Sequence, residues 1–266
     1  MTEKWLVALD IDGTLLREDG SISDRVVEEV ARVRDLGHEV MLATGRSVSL
    51  TLPVLDRFQI APQHVVCSNG AIILGRDPEA STGYSKLQVE TFDPSAVLTT
   101  INGALGSASY AVEDENGFYR YVGKFPDSSL GAASERVEFD QLLGRLATRV
   151  VVFSPGHKTE DFLRIVERMG LHKVTYNVGW TAWLDIAPEG VNKATALERV
   201  REWLDIPRDR LMAIGDGRND VDMLAWASAE GRGVAMGQAP DEVRQAANEV
   251  TGTDLEDGVA SVLASF

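Results

Sequence analysis

The sequence predicts an α/β fold: two outer segments complete one parallel sheet around an inserted α+β unit. Three observations predict it. Short, nearly all-apolar strands alternate with helices over the first eighty residues. The same alternation returns from about residue 190 onward. Between them the pattern changes to paired extended stretches around one helix.

The stretch 5–9 is apolar and short, so it reads as a strand buried on both faces. Ser23 is placed to cap a helix in which Val26, Val27, Val30 and Val33 recur at helical spacing, and Gly37 to end it. Residues 39–43 form a second strand ending at Thr44-Gly45-Arg46, and a helix follows over 47–58. Residues 65–67 are a third strand, running into Ser68-Asn69-Gly70-Ala71. In the middle, 109–112 and 118–122 flank Glu115-Asn116-Gly117 as a hairpin. Residues 173–178 and 181–186 form another extended pair, and a helix over 159–169 lies between the two pairs. Residues 127–131 read as loop. A helix over 192–204, a strand at 211–214, a loop at 215–220 and a helix over 221–227 come next. A strand at 233–236, a helix after Pro240, an extended piece at 249–251 and a helix over 254–263 close the chain.

Composition bounds the function. The 266 residues carry 26 Lys+Arg against 41 Asp+Glu, a formal charge of −15, with 44% hydrophobic and 25% charged residues. This is a soluble globular composition, long enough for one large or two smaller domains. The acidity opposes non-specific binding to nucleic acid or anionic membrane. An anionic substrate must therefore meet a local positive site or a bound cation. The lone Cys67 excludes an internal disulfide framework and a cysteine-based zinc site. Glu3 and Lys4 precede a short apolar run that meets Asp10, so no secretory leader is expected. No apolar run reaches the roughly 18 residues of a membrane span. A cytoplasmic location is expected.

Every strong polar signal falls where a strand ends, and in open parallel sheets ligands bind outside those ends. Asp10, Asp12, Thr44, Arg46, Asn69, Asp216 and Asp220 are thus expected at one edge. In Asp10-Ile11-Asp12-Gly13-Thr14, one carboxylate can attack phosphorus while the other handles protons. Gly13 permits the sharp turn. Alone, this segment reads as a strand end and a polar turn. Gly215-Asp216-Gly217-Arg218-Asn219-Asp220 adds oxygen ligands suited to Mg²⁺, and four aspartates at one crevice need a cation. Alone, that loop reads as a helix cap. Lys193 can neutralise a nucleophile and a phosphoryl oxygen, although a lone helix lysine is ordinarily solvated. Thr44 and Asn69 can donate to phosphate, and the fork of Arg46 can clamp an anion. His38, His64, His157 and His172 lack metal-ligand spacing and read as structural. Trp180, Trp183, Glu113, Arg120 and Lys158 are candidate substrate contacts, with sheet packing as the alternative for the tryptophans.

The order of these pieces resembles the haloacid dehalogenase superfamily, and most closely its Cof-type members with a large α/β cap. Asp10-Ile11-Asp12-Gly13-Thr14 is similar to the family's first motif, Thr44 to the second, Lys193 to the third and Gly215–Asp220 to the fourth. Ser68-Asn69-Gly70-Ala71 is similar to a segment frequent in the Cof-type group. The resemblance implies a three-layer Rossmann-like core over residues 1–80 and 187–266, with an inserted cap over 81–186. It implies a Mg²⁺-dependent phosphatase acting on a small phosphorylated metabolite, a sugar or polyol phosphate. Asp10 is then the nucleophile and forms an aspartyl-phosphate. Asp12 is the general acid and base, with its backbone carbonyl on the metal. Thr44 and Lys193 hold the phosphoryl oxygens, and Arg46, Asn69 and Gly70 line the substrate side. Asp216 is a direct metal ligand, supported by Asn219 and Asp220. The rival readings are a phosphomutase or a dedicated sugar phosphatase, such as one for mannosyl-3-phosphoglycerate or sucrose phosphate. A receiver-like phosphoacceptor and a pocket that binds without turnover are the non-enzymatic ones.

Overall fold

The computed structural model describes residues 3–105, 107–126, 129–131, 133–179 and 182–266. Part of the loop expected over 127–131 (127 and 128), the candidate contact Trp180, and the first residue of the extended piece expected over 181–186 lie outside the described residues. The chain runs β1 (Leu6–Leu9), α1 (Asp24–Asp35), β2 (Glu39–Leu42), α2 (Val48–Phe58), β3 (His64–Cys67), β4 (Ile72–Arg76) and β5 (Tyr84–Val89). It continues with α3 (Ser95–Leu105), β6 (Ser109–Glu113), β7 (Tyr119–Val122), β8 (Ser134–Arg136), β9 (Arg149–Phe153), α4 (Thr159–Met169), β10 (Val174–Val178) and β11 (Trp183–Pro188). It ends with α5 (Lys193–Trp203), β12 (Leu211–Gly215), α6 (Val221–Ser228), β13 (Arg232–Ala235), α7 (Asp241–Ala246), β14 (Glu249–Val250) and α8 (Gly258–Leu263).

Five strands form a parallel sheet in the order β14-β13-β12-β1-β2. β1 is an interior strand, between β12 and β2, which is why its residues are apolar without alternation and fully buried. Val7 and Leu9 pack toward α1, α2 and α8. Leu6 and Ala8 pack toward α5, α6 and α7. The result is three layers. An isolated bridge between Ala43 and Val66 extends the sheet toward β3, which pairs antiparallel with β4 and through it with β5. β5 falls within the range 81–186 expected for the inserted unit, yet it pairs with β4.

Between the two halves lies a six-stranded mixed sheet, β10-β11-β9-β6-β7-β8. One face buries Tyr110, Val112, Val150 and Val152 against Leu98 and Ile101 of α3 and Phe162 and Val166 of α4. The expected hairpin over 109–122 and the pairing of β10 with β11 are both present.

One element differs in kind. The helix expected over 254–263 breaks into a 3₁₀ turn, Asp254–Glu256, and α8. Asp257 between them takes a left-handed φ of 56°, which a continuous helix does not admit. Gly258 then lies so close to the carbonyl of Gly252 that a Cβ would fall 2.2 Å from its oxygen.

Gly233 shows how tightly α6 is seated on the sheet. A Cβ there would fall 2.2 Å from Ser228 Oγ and 2.3 Å from the Leu224 carbonyl oxygen. Gly233→Ala is expected to cost about 1–3 kcal/mol of stability by overpacking, read from denaturant unfolding. An unchanged midpoint would contradict this packing.

Candidate active site

Parallel register decides where the polar residues go. Leu9 is aligned with Ile214, and the Asp10 N–H donates to the Ile214 carbonyl at 3.0 Å. The chain segments after β1 and β12 therefore leave the sheet at the same edge. The Asn69 N–H donates to the Thr44 carbonyl at 3.0 Å, which brings the ends of β2 and β3 to that edge too.

Asp10, Asp216 and Asp220 are buried, and each offers an oxygen within 4.8 Å of the others. Lys193, fully buried at the first position of α5, donates through Nζ to Asp10 Oδ1 and Asp220 Oδ1, both at 2.6 Å. Its helix is started by Asn192, whose side-chain oxygen accepts from the Thr195 N–H at 2.9 Å. Asp220 is fully occupied, because its Oδ2 accepts from the backbone of Asp216 at 3.0 Å and Gly217 at 2.9 Å. It shapes the loop that carries Asp216. Thr14 donates to Asp216 Oδ1 at 3.0 Å.

The electrostatics follow from burial. Asp10 is pushed up to about 7 by burial and by the charge of Asp220, because it shares the Lys193 ammonium instead of owning it. Asp216 is pushed up to about 8 by burial and by Asp10 and Asp220. Burial pulls Lys193 down, but its two carboxylate partners hold it above its ordinary value. Three buried carboxylates against one ammonium leave two negative charges uncompensated when all are ionised. Oxygen donors carrying that excess fit a hard divalent cation.

Asp12 is not in this cluster. Its side chain is 61% exposed and takes a two-point contact from Arg46, Nε to Oδ2 at 2.8 Å and a terminal nitrogen to Oδ1 at 2.5 Å. The arginine fork read as an anion clamp is thus seated on Asp12. Thr44 Oγ1 accepts from the Arg46 N–H at 3.1 Å, and this leaves the hydroxyl proton free to donate. Asn219 turns its amide toward Asn69, donating to Oδ1 at 3.0 Å. Gly45 makes room for that pair, since a Cβ would lie 3.1 Å from Asn69 Oδ1. Ser68, Asn69 and Gly70 all have positive φ, and a Cβ on Gly70 would fall 2.2 Å from the Asn192 carbonyl oxygen. The turn is therefore pressed against the start of α5.

Of the remaining candidates, Glu113 is fully buried and accepts from Ser68 Oγ at 3.0 Å and Tyr119 OH at 2.9 Å. Burial raises its pKa. Arg120 pairs with Asp114 and is aligned with Val112, on the helix-covered face. Lys158 precedes α4, which covers that face. Cys67 is buried, and burial pushes its thiol up to about 12, so it is no nucleophile. Sequence reasoning missed Gln238. Its Nε2 donates to the Gly13 carbonyl at 2.5 Å and its Oε1 accepts from the Asp254 N–H at 3.2 Å. Beside it, Asp12, Gly13 and Asp216 line a groove of about 990 Å³ that runs past Arg17 to Leu255.

The family model for haloacid dehalogenase-like hydrolases matches residues 7–263. The chain is 30% identical to the 5-amino-6-(5-phospho-D-ribitylamino)uracil phosphatase YitU of Bacillus subtilis (strain 168), over 100% of this chain and 98% of that protein. It is 27% identical to the pyridoxal phosphate phosphatase YbhA of Escherichia coli (strain K12), over 98% and 97%. Among solved structures, a haloacid dehalogenase subclass IIB sugar phosphatase superposes with a TM-score of 0.83 at 21% identity, covering 99% of both chains. A haloacid dehalogenase-like hydrolase from B. subtilis gives 0.78 at 24% identity, covering 97% and 98%. The chain belongs to the haloacid dehalogenase-like hydrolases as a Cof-type member, and it is a phosphoric monoester hydrolase.

Gly13 tests the geometry. Its φ is +78°, and a Cβ would fall 2.3 Å from Asp216 Oδ2. Gly13→Ala is expected to lower kcat/KM on p-nitrophenyl phosphate by about 10²-fold through displacement of both aspartate loops. Unchanged kinetics in a folded sample would contradict the close contact.

Proposed function

We propose that this protein is a Mg²⁺-dependent phosphatase of a small phosphomonoester, working through a phosphorylated Asp10. The observation that carries the reading is the Lys193 ammonium shared by Asp10 and Asp220, with Asp216 alongside, all buried.

In this reading Asp10 attacks phosphorus, and the bond from phosphorus to the ester oxygen breaks. Lys193 favours the ionised form of Asp10 against burial and the charge of Asp220, and it opposes the phosphoryl charge. The free hydroxyl proton of Thr44 and the amide of Asn69 donate to phosphoryl oxygens. The departing alkoxide takes a proton from Asp12, which carries that proton once its carboxyl group has left the two-point contact with Arg46. Asp12 then accepts a proton from water as that water attacks the acyl phosphate, which releases inorganic phosphate and regenerates Asp10. Arg46 sets where the Asp12 carboxylate points. The carboxylates of Asp10 and Asp216 and the backbone carbonyl of Asp12 would hold Mg²⁺, with Asp220 and Asn219 in support. Bound there, the ion neutralises phosphoryl charge.

Residues 1–80 and 187–266 serve as the hydrolytic core and 81–186 as the cap, with β5 as its stem. The substrate is a small phosphorylated metabolite, a sugar or polyol phosphate. Support for a small phosphorylated metabolite comes from two relatives whose names give a ribitylamino-uracil phosphate and pyridoxal phosphate as their substrates, and the ribityl chain of the first is a polyol phosphate. The charge of −15 disfavours nucleic acid as a partner. Among the described residues no helix is long and apolar enough to cross a membrane. The single, buried Cys67 suits the cytoplasm.

Asp10→Asn is expected to lower kcat by about 10³-fold or more, and chelation of divalent metal to abolish turnover. Asp12→Asn is expected to lose about 10²–10⁴-fold on an alkyl phosphate but much less on the phosphorylation step with p-nitrophenyl phosphate, whose leaving group needs no proton. Phosphate-release assays and rapid-quench bursts on folded samples check both. Wild-type kcat in Asp10→Asn would reject the mechanism.

A further inference from the structure

Gln238 belongs to none of the motifs, yet its two contacts define a role for it. It follows β13, so parallel register carries it to the same edge as Asp10 and Asp216. Its loop is fixed on either side. The Met236 N–H donates to the Gly215 carbonyl and the Gly237 N–H to the Gly252 carbonyl, both at 3.0 Å. Arg244 donates to the Gly237 carbonyl at 3.1 Å. The Gln238 side chain is an arm on a rigid base.

Both ends of its amide are used. Nε2 donates to the Gly13 carbonyl at 2.5 Å, and Oε1 accepts from the Asp254 N–H at 3.2 Å. One partner can only accept and the other can only donate. A carboxylate would serve Asp254 and repel Gly13, and an ammonium would do the reverse. The pair requires an uncharged group that both donates and accepts. Arg17 closes the circuit, because its Nε donates to the Asp254 carbonyl at 3.3 Å and its terminal nitrogen to Asp257 Oδ1 at 3.2 Å. The turn after β1 is thereby tied to the turn before α8 at two points, Gly13 and Arg17.

The position of that carbonyl gives the contact its leverage. The hydrogen bonds inside the turn run to the carbonyls of Ile11 and Leu16. The Gly13 carbonyl is met from outside, by Gln238. To one side, Thr14 is anchored through Oγ1 to Asp216 Oδ1 at 3.0 Å. To the other is Asp12, whose side chain is 61% exposed and whose contact with Arg46 must open before its carboxyl carries a proton. Once Arg46 lets go, the backbone aims Asp12. Gly13, with a φ of +78° and no side chain, is the soft joint of that backbone.

We infer that Gln238 is a positioning residue for proton transfer: by holding the Gly13 carbonyl it fixes the direction in which Asp12 faces the ester oxygen. The inference rests on the phosphatase reading above, with Asp12 as the proton carrier.

The test uses the full chain and two aryl esters, phenyl phosphate and p-nitrophenyl phosphate. Phenolate is the more basic leaving group and gains more from a proton. Gln238→Met keeps the reach and loses both hydrogen bonds. It is expected to lower kcat/KM by about tenfold or more on phenyl phosphate, and by less than about threefold on p-nitrophenyl phosphate. Equal losses on the two esters, the mark of a merely structural role, would overturn the inference. Gln238→Glu is the conservative variant, whose carboxyl donates to Gly13 only when protonated. Burial and the carboxylates of Asp12, Glu18, Asp19, Asp216 and Asp254 around the same groove raise its pKa, and Arg17 opposes them. Its kcat/KM on phenyl phosphate, relative to wild type at the same pH, is expected to climb at least about fivefold from pH 8 to pH 5. A flat ratio would overturn the inference. The carbonyl-carbon NMR shift of Gly13, read without substrate, is expected to move in Gln238→Met, and an unmoved shift would overturn the contact itself. A shift that moves in a protein whose wild type hydrolyses neither ester would overturn the phosphatase reading, and with it the role of Gln238, while upholding the contact.

Discussion

A single ammonium shared between two buried carboxylates, with a third carboxylate beside them, is the constraint on which the rest of the site depends. Lys193 reaches Asp10 and Asp220 from the start of α5, 183 and 27 residues away in sequence. An arrangement of this kind is costly to desolvate unless each charge is met. The surrounding contacts meet most of them. Asp220 is saturated by Lys193 and two backbone N–H groups, and Asp216 receives Thr14. What remains is an excess of negative charge at Asp10 and Asp216. A hydrolase of anionic esters in a chain of net charge −15 has to turn that excess into attraction, and a divalent cation does so.

The backbone is bent to serve this cluster. Gly13 lies against the Asp216 carboxylate, and Gly70 lies against the Asn192 carbonyl next to Lys193. Ser68 and Asn69 hold left-handed φ values of 49° and 53° without being glycine, a strain that neighbouring contacts must offset. Those contacts are the Glu113 carboxylate on Ser68 and the Asn219 amide on Asn69. One turn therefore links the inserted sheet, the motif loops and the start of α5.

Much of this was legible in the sequence for a definite reason. Parallel strands bury both faces, so their apolar runs stand out, and the polar residue ending each run marks the ligand edge. Asp10 after β1, Thr44 after β2, Asn69 after β3 and Asp216 after β12 are brought together on this ground. The partner of Arg46 was not legible. Asp12 lies 34 residues away, and an arginine in a sequence gives no hint of which carboxylate its guanidinium meets. Gln238 was invisible because its contact with Gly13 spans 225 residues. The break before α8 was hidden because Asp257, unlike a glycine, does not announce a left-handed turn. Arg120 and Lys158 looked available from charge alone, but strand alternation and the position of α4 put them on or beside the helix-covered face.

The central claim concerns charge, and thermal unfolding measured across pH tests it directly. Asp10 and Asp216 are held at about 7 and about 8 in the folded chain, above their unfolded value of 3.8. Such raised groups contribute stability that is fully present below the unfolded value and is lost as pH rises through the folded ones. Without metal, Tm should therefore fall between pH 6 and pH 8. Millimolar Mg²⁺ should raise Tm, and most at pH 8, where both carboxylates ionise. An identical Tm with and without Mg²⁺ at pH 8 would contradict the account.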